Sequence, residues 1–191
     1  VLLAALWGIF TLIAKHQSFV ESYYQVQSDK LTSNVRVVQL SDLHLHEFGD
    51  HNADLIERIT ALKPDIIAIT GDMNDKLVDD YSIVTDLCKE LVKIAPVYYV
   101  PGNHEWPKIV FHNSPIVTDL EAIGVHFLAD ETETLEVNGN TIAIGGVAEA
   151  PASYERYASA YFESFEQLDA FKLLLVHYPE YFLEDGFFSD V

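Results

Sequence analysis

Cysteine is all but absent: Cys88 is the single one in 191 residues, which excludes an internal disulfide framework and a thiolate zinc cluster. Its neighbours Ile83, Val84, Leu87, Leu91 and Val92 form a helical apolar stripe, so a buried structural thiol is expected. Basic residues are scarce as well. Eleven Lys and Arg face thirty Asp and Glu, a formal charge of −19 whose field repels nucleic acid and anionic membrane surfaces. Long polynucleotides are therefore poor substrates, while bound divalent cations could offset the charge locally and draw a phosphate group into a cleft. The sequence has no internal repeats, no low-complexity run, no Ser or Cys nucleophile motif and no G-x-G-x-x-G after its first strand, so the Rossmann nucleotide-binding fingerprint is missing.

Long apolar runs are also few. Val1 to Ala14 carries no charge and is followed by Lys15, but a membrane-spanning helix needs about 20 apolar residues. Because the chain begins on Val, the run is read as the back half of a membrane anchor or signal-anchor, with an ordinary amphipathic or core helix as the other reading. Residues 15–33 read as a linker or an edge strand, and residues 34–191 as one catalytic domain.

That domain is expected to be α/β. Val35 to Leu40 is rich in β-branched residues, Leu55, Ile56, Ile59 and Leu62 share one face of a helix over Ala53 to Leu62, and Lys63-Pro64 stops it. Asp65 to Thr70 is a continuous apolar strand of the kind buried on both faces. A helix over Asp79 to Ile94 and a strand over Pro96 to Val100 follow. Strands alternating with helices predict a mainly parallel sheet that gathers ligands at its strand carboxyl ends. After a polar loop through Trp106, Pro107, His112 and Pro115, a short helix is expected over Ile116 to Ile123. Strands at Val125 to Leu128, Thr134 to Val137 and Thr141 to Ile144 come next, the last two joined by an Asn138-Gly139 hairpin signal, so the second half should be more antiparallel. A helix near Phe162 to Phe171 and a buried strand over Lys172 to Val176 complete the pattern.

Four strands stop at residue types that hold metals: Asp42-Leu43-His44, Gly71-Asp72, Gly102-Asn103-His104-Glu105 and His177. Each is ordinary by itself. Asp-x-His can be a helix-capping aspartate with an incidental histidine, Gly-Asp a turn, Asn-His a loop, and His177 a satisfied core histidine. In Asp42-x-His44 a strand period of two would put carboxylate and imidazole on one side, able to share a cation. Asn103 offers a neutral amide oxygen, which favours manganese, iron or magnesium over a soft-ligand site. Four such strand ends in order point to one site.

These ordered blocks resemble the calcineurin-like metallophosphoesterase superfamily over about residues 34–180. An apolar N-terminus directly before Ser41-Asp42-Leu43-His44-Leu45-His46 makes the bacterial membrane-associated or exported branch the nearest match. The resemblance implies a two-sheet α/β/β/α sandwich and hydrolysis of a phosphomonoester or phosphodiester, a lipid-linked one included, by metal-activated water. It also implies two divalent ions (Mn2+, Fe2+/3+, Zn2+ or Mg2+) about 3.5 to 4 Å apart. By the same resemblance Asp42 and His44 hold the first metal, Asp72 bridges, Asn103 and His177 hold the second, and His104 serves as proton donor or orienter of the phosphate. Asp75 matches a carboxylate that orients that histidine, and Glu105 is an outer acceptor. The branch implies membrane attachment through the N-terminal segment, with the catalytic domain outside the cytoplasm. The family's Gly-His-x-His block does not occur after His177. Gly186 to Val191 resembles the approach to it, so each metal is expected to lack one protein ligand and the chain alone to bind metal weakly.

His46 and His51 read as solvated loop residues, His126 as a strand residue, and His16 and His112 carry no motif. Tyr154, Tyr157, Tyr161, Phe162 and Phe165 could form an apolar lip for substrate, although their mixed spacing also fits a helix packed on the sheet. The rival to an enzyme is a non-catalytic binding scaffold that keeps the fold.

Overall fold

The core strand of the first half is decided by one uninterrupted apolar run. In the computed structural model, which describes residues 19–148 and 159–178, Ile66–Ile69 is β2 and all four of its residues are buried. It lies between β1 (Val37–Leu40) and β3 (Val97–Tyr99), with β4 (His126–Phe127) beyond, in a four-stranded parallel sheet of order β1-β2-β3-β4. Alternation sends Ile67 and Ile69 toward the helices and Ile66 and Ala68 the other way.

The helices supply matching apolar faces. Leu55 and Ile59 of α1 (Ala53–Leu62), Val84, Leu87, Cys88 and Leu91 of α2 (Ser82–Leu91) and Ile116 and Leu120 of α4 (Ile116–Ile123) pack with Ile67, Ile69, Val97 and Tyr99. Lys63 in the left-handed region ends α1 before Pro64. The second helix is shorter than the Asp79 to Ile94 span expected. Asp80 accepts the Ser82 N–H and so starts the helix at Ser82, while Ile94 closes a three-residue turn on Leu91 instead of continuing. The stretch read as a polar loop contains α3 (Trp106–His112), with Pro107 in its first turn, where a missing N–H costs nothing, and Asn113 in the left-handed region at its end.

The second sheet has order β5-β6-β7, from Glu131–Val137, Asn140–Val147 and Phe171–Val176. β5 and β6 are antiparallel and β6 and β7 parallel. Asn138 at φ 51 and Gly139 at φ 77 make the two-residue turn with both backbones left-handed that a tight hairpin requires. Ile142, Ile144 and Leu175 of this sheet face Ile66, Ala68, Tyr98 and Val100 of the first. The protein is thus an α/β fold with a parallel sheet and a second, mixed sheet. α5 is Ser159–Glu166, shorter and earlier than the Phe162 to Phe171 span expected, because Phe171 already pairs with Ile142 in β7. Its Phe162 packs with Val147, and Phe165 and the Tyr161 hydroxyl lie against Gly145. Those three aromatic residues therefore serve packing on the second sheet, while Tyr154 and Tyr157 lie outside the described residues.

Among residues 19–33 no strand forms. The segment is nevertheless tied to the domain: Phe19 meets Phe48 edge-on at 5.3 Å, Glu21 accepts Arg58 at 2.5 and 2.7 Å, and the buried Asn140 amide oxygen takes the Thr32 N–H at 2.7 Å. The run Val1 to Ala14 and the stretch Gly186 to Val191 lie outside the described residues. Among the described residues no helix is long and apolar enough to cross a membrane.

Candidate metal centre

Parallel register brings the loops together. Leu40 pairs with Ile69, and Ile69 with Tyr99, so the chain leaves three neighbouring strands at one level, just before Asp42, Asp72 and Asn103. The first two loops then continue side by side, with the N–H groups of Asp42, His44 and Leu45 donating to the carbonyls of Gly71, Asp72 and Met73 at 3.0, 3.0 and 2.9 Å. Strand alternation is not what pairs Asp42 with His44, because β1 ends at Leu40. Asp42, His44, Leu45 and Asp72 all adopt left-handed backbones, with φ of 56, 46, 62 and 53. Non-glycine residues held in this region concentrate where function over-determines the backbone.

Asp72 is the centre. It is buried, and its Oδ2 faces the Nε2 atoms of His177, His104 and His44 at 3.5, 3.8 and 3.9 Å. These separations are too long for hydrogen bonds. Two donors that each lie about 2.0–2.2 Å from one cation are at most about 4.4 Å apart, so the spacing suits groups that share metal ions. His44, Asp72 and His104 form one such group, and Asp42, Asp72 and His177 another, with ligand atoms within 4.8 Å of one another in each. Asp42 also reaches His44, at 3.9 Å, and Asn103 Oδ1 lies 3.0 Å from His177 Nε2. Imidazole, carboxylate and amide oxygen without thiolate form a donor set that fits a divalent first-row cation. Cys88 is 0% exposed in the helix core, where burial pushes its thiol up to about 12.

The second ring nitrogens separate the histidines. His177 Nδ1 lies 2.8 Å from the Thr70 carbonyl, an acceptor, so Nδ1 carries the proton and Nε2 presents a lone pair toward Asp72 and Asn103. His104 Nδ1 instead accepts the Lys76 N–H at 3.2 Å. The neutral ring then carries its proton on Nε2, which suits a proton donor and opposes metal ligation through that atom.

Glu105 organises the backbone beneath. Its buried carboxylate accepts the N–H groups of Asp72 at 2.9, Asn74 at 2.9 and Gly102 at 3.0 Å, and the Tyr99 hydroxyl at 3.4 Å. Burial, with Glu105 adding to it, holds that phenol well above its usual range. The two glycines permit the contact. A Cβ on Gly102 would fall 2.1 Å from Asp72 Oδ1 and 2.5 Å from Asp72 N, and one on Gly71, at φ +83, would fall 2.3 Å from Gly102 N.

Asp42, His44, Asp72, Asn103, His104, Glu105 and His177 thus all lie at this end of the sheets. Asp75 differs in its contacts: its carboxylate accepts the Leu77 N–H at 2.9 Å, and the group touching His104 Nδ1 is the Lys76 amide. That N–H, with the nearby imidazoles and Lys76 adding charge, holds the Asp75 carboxyl below its ordinary value. Sequence reasoning missed the Thr70 carbonyl and the Lys76 amide, because backbone groups leave no mark in residue types. It also missed Lys108, a lysine buried in a stretch read as loop. Between β1 and β7 an open cleft of about 740 Å³ runs from Asp42, Asn103 and His177 to an apolar end at Val37, Ala68 and Leu173.

A family model described as calcineurin-like phosphoesterase matches residues 35–186. A Caenorhabditis elegans protein bearing a metallophosphoesterase name is 33% identical over 121 residues, covering 60% of this chain and 24% of that protein. The uncharacterized protein YpbG of Bacillus subtilis (strain 168) is 28% identical over 144 residues, covering 74% and 51%. The chain therefore spans about half or less of these relatives' length. Among solved structures, the phosphopantetheinyl hydrolase of Mycobacterium tuberculosis shares the fold at a TM-score of 0.50 and 18% identity, over 78% of this chain and 70% of that one. With the family model covering most of the chain, and strand ends that deliver its ligand types to one carboxylate, this protein is a member of the calcineurin-like phosphoesterase family.

Proposed function

We propose that the chain is the core of a dimetal phosphoesterase that hydrolyses a small phosphomonoester or phosphodiester, lipid-linked esters included. The observation that carries this is the arrangement around Asp72, where one imidazole offers a lone pair and another a proton. In this reading His44, Asp42, Asp72, Asn103 and His177 hold two divalent cations, Mn2+, Fe2+/3+, Zn2+ or Mg2+. Bound there, such cations supply charge neutralisation at the phosphoryl oxygens and a water of lowered pKa. His104, held by the Lys76 amide, donates its Nε2 proton to the leaving oxygen. Asp72 Oδ1 accepts the His104 N–H at 2.9 Å, which fixes donor and bridging carboxylate relative to each other. Asp75 adds negative charge beside His104 without orienting it directly. The apolar end of the cleft favours an ester with an apolar portion, and the charge of −19 disfavours polynucleotides. The apolar run Val1 to Ala14 supports membrane attachment, and an extracytoplasmic domain follows from the branch of the family that such an N-terminus resembles.

The test is hydrolysis of p-nitrophenyl phosphate and bis-p-nitrophenyl phosphate with added Mn2+ by the full-length natural protein, beside its Asp72→Asn variant. Metal-dependent turnover lost on substitution is expected, and the preferred ester narrows the substrate class. No turnover together with no bound metal by elemental analysis would leave a non-catalytic scaffold.

A further inference from the structure

Lys108 is a lysine in a place where lysine is rarely found. It is 9% exposed, on the first turn of α3, one turn past Glu105. Its ammonium has three protons and finds three acceptors on a single loop: the Asp75 carbonyl at 3.1 Å, the Val78 carbonyl at 2.5 Å and the Asp79 carboxylate at 3.3 Å. The Tyr81 ring lies 5.6 Å away from the same nitrogen. Glu105 meanwhile accepts N–H groups from Asp72 and Asn74. The start of one short helix therefore grips the 72–79 loop from both chemical sides, a carboxylate taking its amides and an ammonium giving to its carbonyls.

Within that grip lies Lys76, whose N–H meets His104 Nδ1 at 3.2 Å. The flanking carbonyl, of Asp75, is held twice, by Lys108 and by the Val78 N–H at 3.1 Å. The inner end of the loop, at Asp72 to Asn74, is buried and tied to the Asp42–Leu45 loop, but its outer end is held by less. Leu77 is 84% exposed, the Asp75 carboxylate takes only the Leu77 N–H, and the Asn74 amide, bonded to the Val78 carbonyl at 2.8 Å, leaves its oxygen buried with no partner among the described residues. Removing the ammonium would leave the carbonyl of the Asp75–Lys76 peptide with only the Val78 N–H of its own turn, and no tie to α3.

We infer that Lys108 is a positioning residue, which holds the Lys76 amide against His104 Nδ1 and so keeps the His104 proton on Nε2, facing Asp72. The inference rests on the phosphoesterase reading for its consequence in turnover, but not for the tautomer itself. Loss of the clamp should matter most where the leaving oxygen needs a proton, in alkyl esters, and least for p-nitrophenolate, which leaves unaided.

The experiment has two arms, both on the full-length natural protein and its variants. In metal-free protein at pH 8.5, where an ordinary imidazole is neutral, ring 15N shifts report the His104 tautomer. The unsubstituted protein and Lys108→Arg should show a bare Nδ1 and a protonated Nε2, and Lys108→Met a mixed population. With Mn2+ restored, Lys108→Met should lose about tenfold or more in kcat on an alkyl phosphate and less than about threefold on p-nitrophenyl phosphate, with bound manganese unchanged. An unaltered tautomer in Lys108→Met, or equal losses on both esters, would overturn the positioning role. Absence of turnover by the unsubstituted protein would overturn the phosphoesterase reading and leave the tautomer arm to decide the clamp. Should Lys108→Met not fold, Lys108→Gln, which keeps a donor for one carbonyl, is expected to show the same shift in smaller measure.

Discussion

His104 and His177 both aim Nε2 at Asp72 Oδ2, at 3.8 and 3.5 Å, yet their Nδ1 atoms meet opposite backbone groups, the Lys76 N–H and the Thr70 carbonyl. Two rings of one chemical type are thereby given different protonation sites. His177→Ala is expected to lower bound manganese and turnover together. His104→Ala should keep the metal while losing about 10²–10⁴ in kcat on esters with poor leaving groups. Elemental analysis beside steady-state kinetics checks both, and equal metal loss in the two variants would contradict the assignment.

Glu105 gives a stability prediction. Glu105→Ala strands three buried N–H groups and should cost about 3–5 kcal/mol, a fall in Tm of roughly 6–20 °C for a chain of this size. Glu105→Gln keeps one acceptor oxygen but turns an amide donor toward a second pair of donors, so a loss of about half that is expected. Thermal unfolding of the metal-free variants measures it without interference from bound ions.

Gly102→Ala should be as damaging as losing a ligand. The added methyl would overlap the Asp72 carboxylate and backbone, at 2.1 and 2.5 Å, and neither can withdraw without moving the Oδ2 that faces the three imidazoles. Turnover should fall by more than the about 10–100-fold typical of changes outside the ligand set. Activity within a few-fold of the parent would show that the two loops can separate.

Cys88 predicts a pH effect of definite sign. Its thiol is raised from 9.0 to about 12 by burial alone, so between those values the unfolded chain has given up a proton that the folded one keeps. Stability from this group is intact below pH 9 and declines as pH rises, by up to about 1.4 kcal/mol per pH unit. Comparison of denaturant midpoints for the parent and Cys88→Ala from pH 8 to 11 should show the slope lessened in the variant. A neutral maleimide should label Cys88 only as fast as the protein opens.

The sequence carried much of this because side-chain chemistry and periodicity are local signals. The run Asp65 to Thr70 read as a strand covered on both faces and is one, and Asn138-Gly139 read as a hairpin turn and is one. The nominated residues Asp42, His44, Asp72, Asn103, His104 and His177 meet at one end of the sheets: the first five because three parallel strands in register release their loops together, and His177 because β7 of the second sheet ends beside them. Other features were hidden for definite reasons. Trp106–His112 has too few turns for a periodic stripe, so a helix that anchors the site looked like loop. The Asp42–His44 pairing comes from left-handed backbones rather than strand alternation, and no residue type announced that. The atoms that assign the tautomers belong to the main chain.

The distance along the chain between the two halves of the site has a consequence in time. His177 meets Asn103 across 74 positions of sequence. At a synthesis rate of about 5–20 residues per second, the loops carrying Asp42, Asp72 and His104 are complete roughly 4–15 s before His177 has even been added. A nascent chain therefore exposes a half-built cradle first, with Asp72 facing two imidazoles instead of three. Any cation captured on the ribosome before then must be held without His177, until β7 brings that imidazole to Asp72.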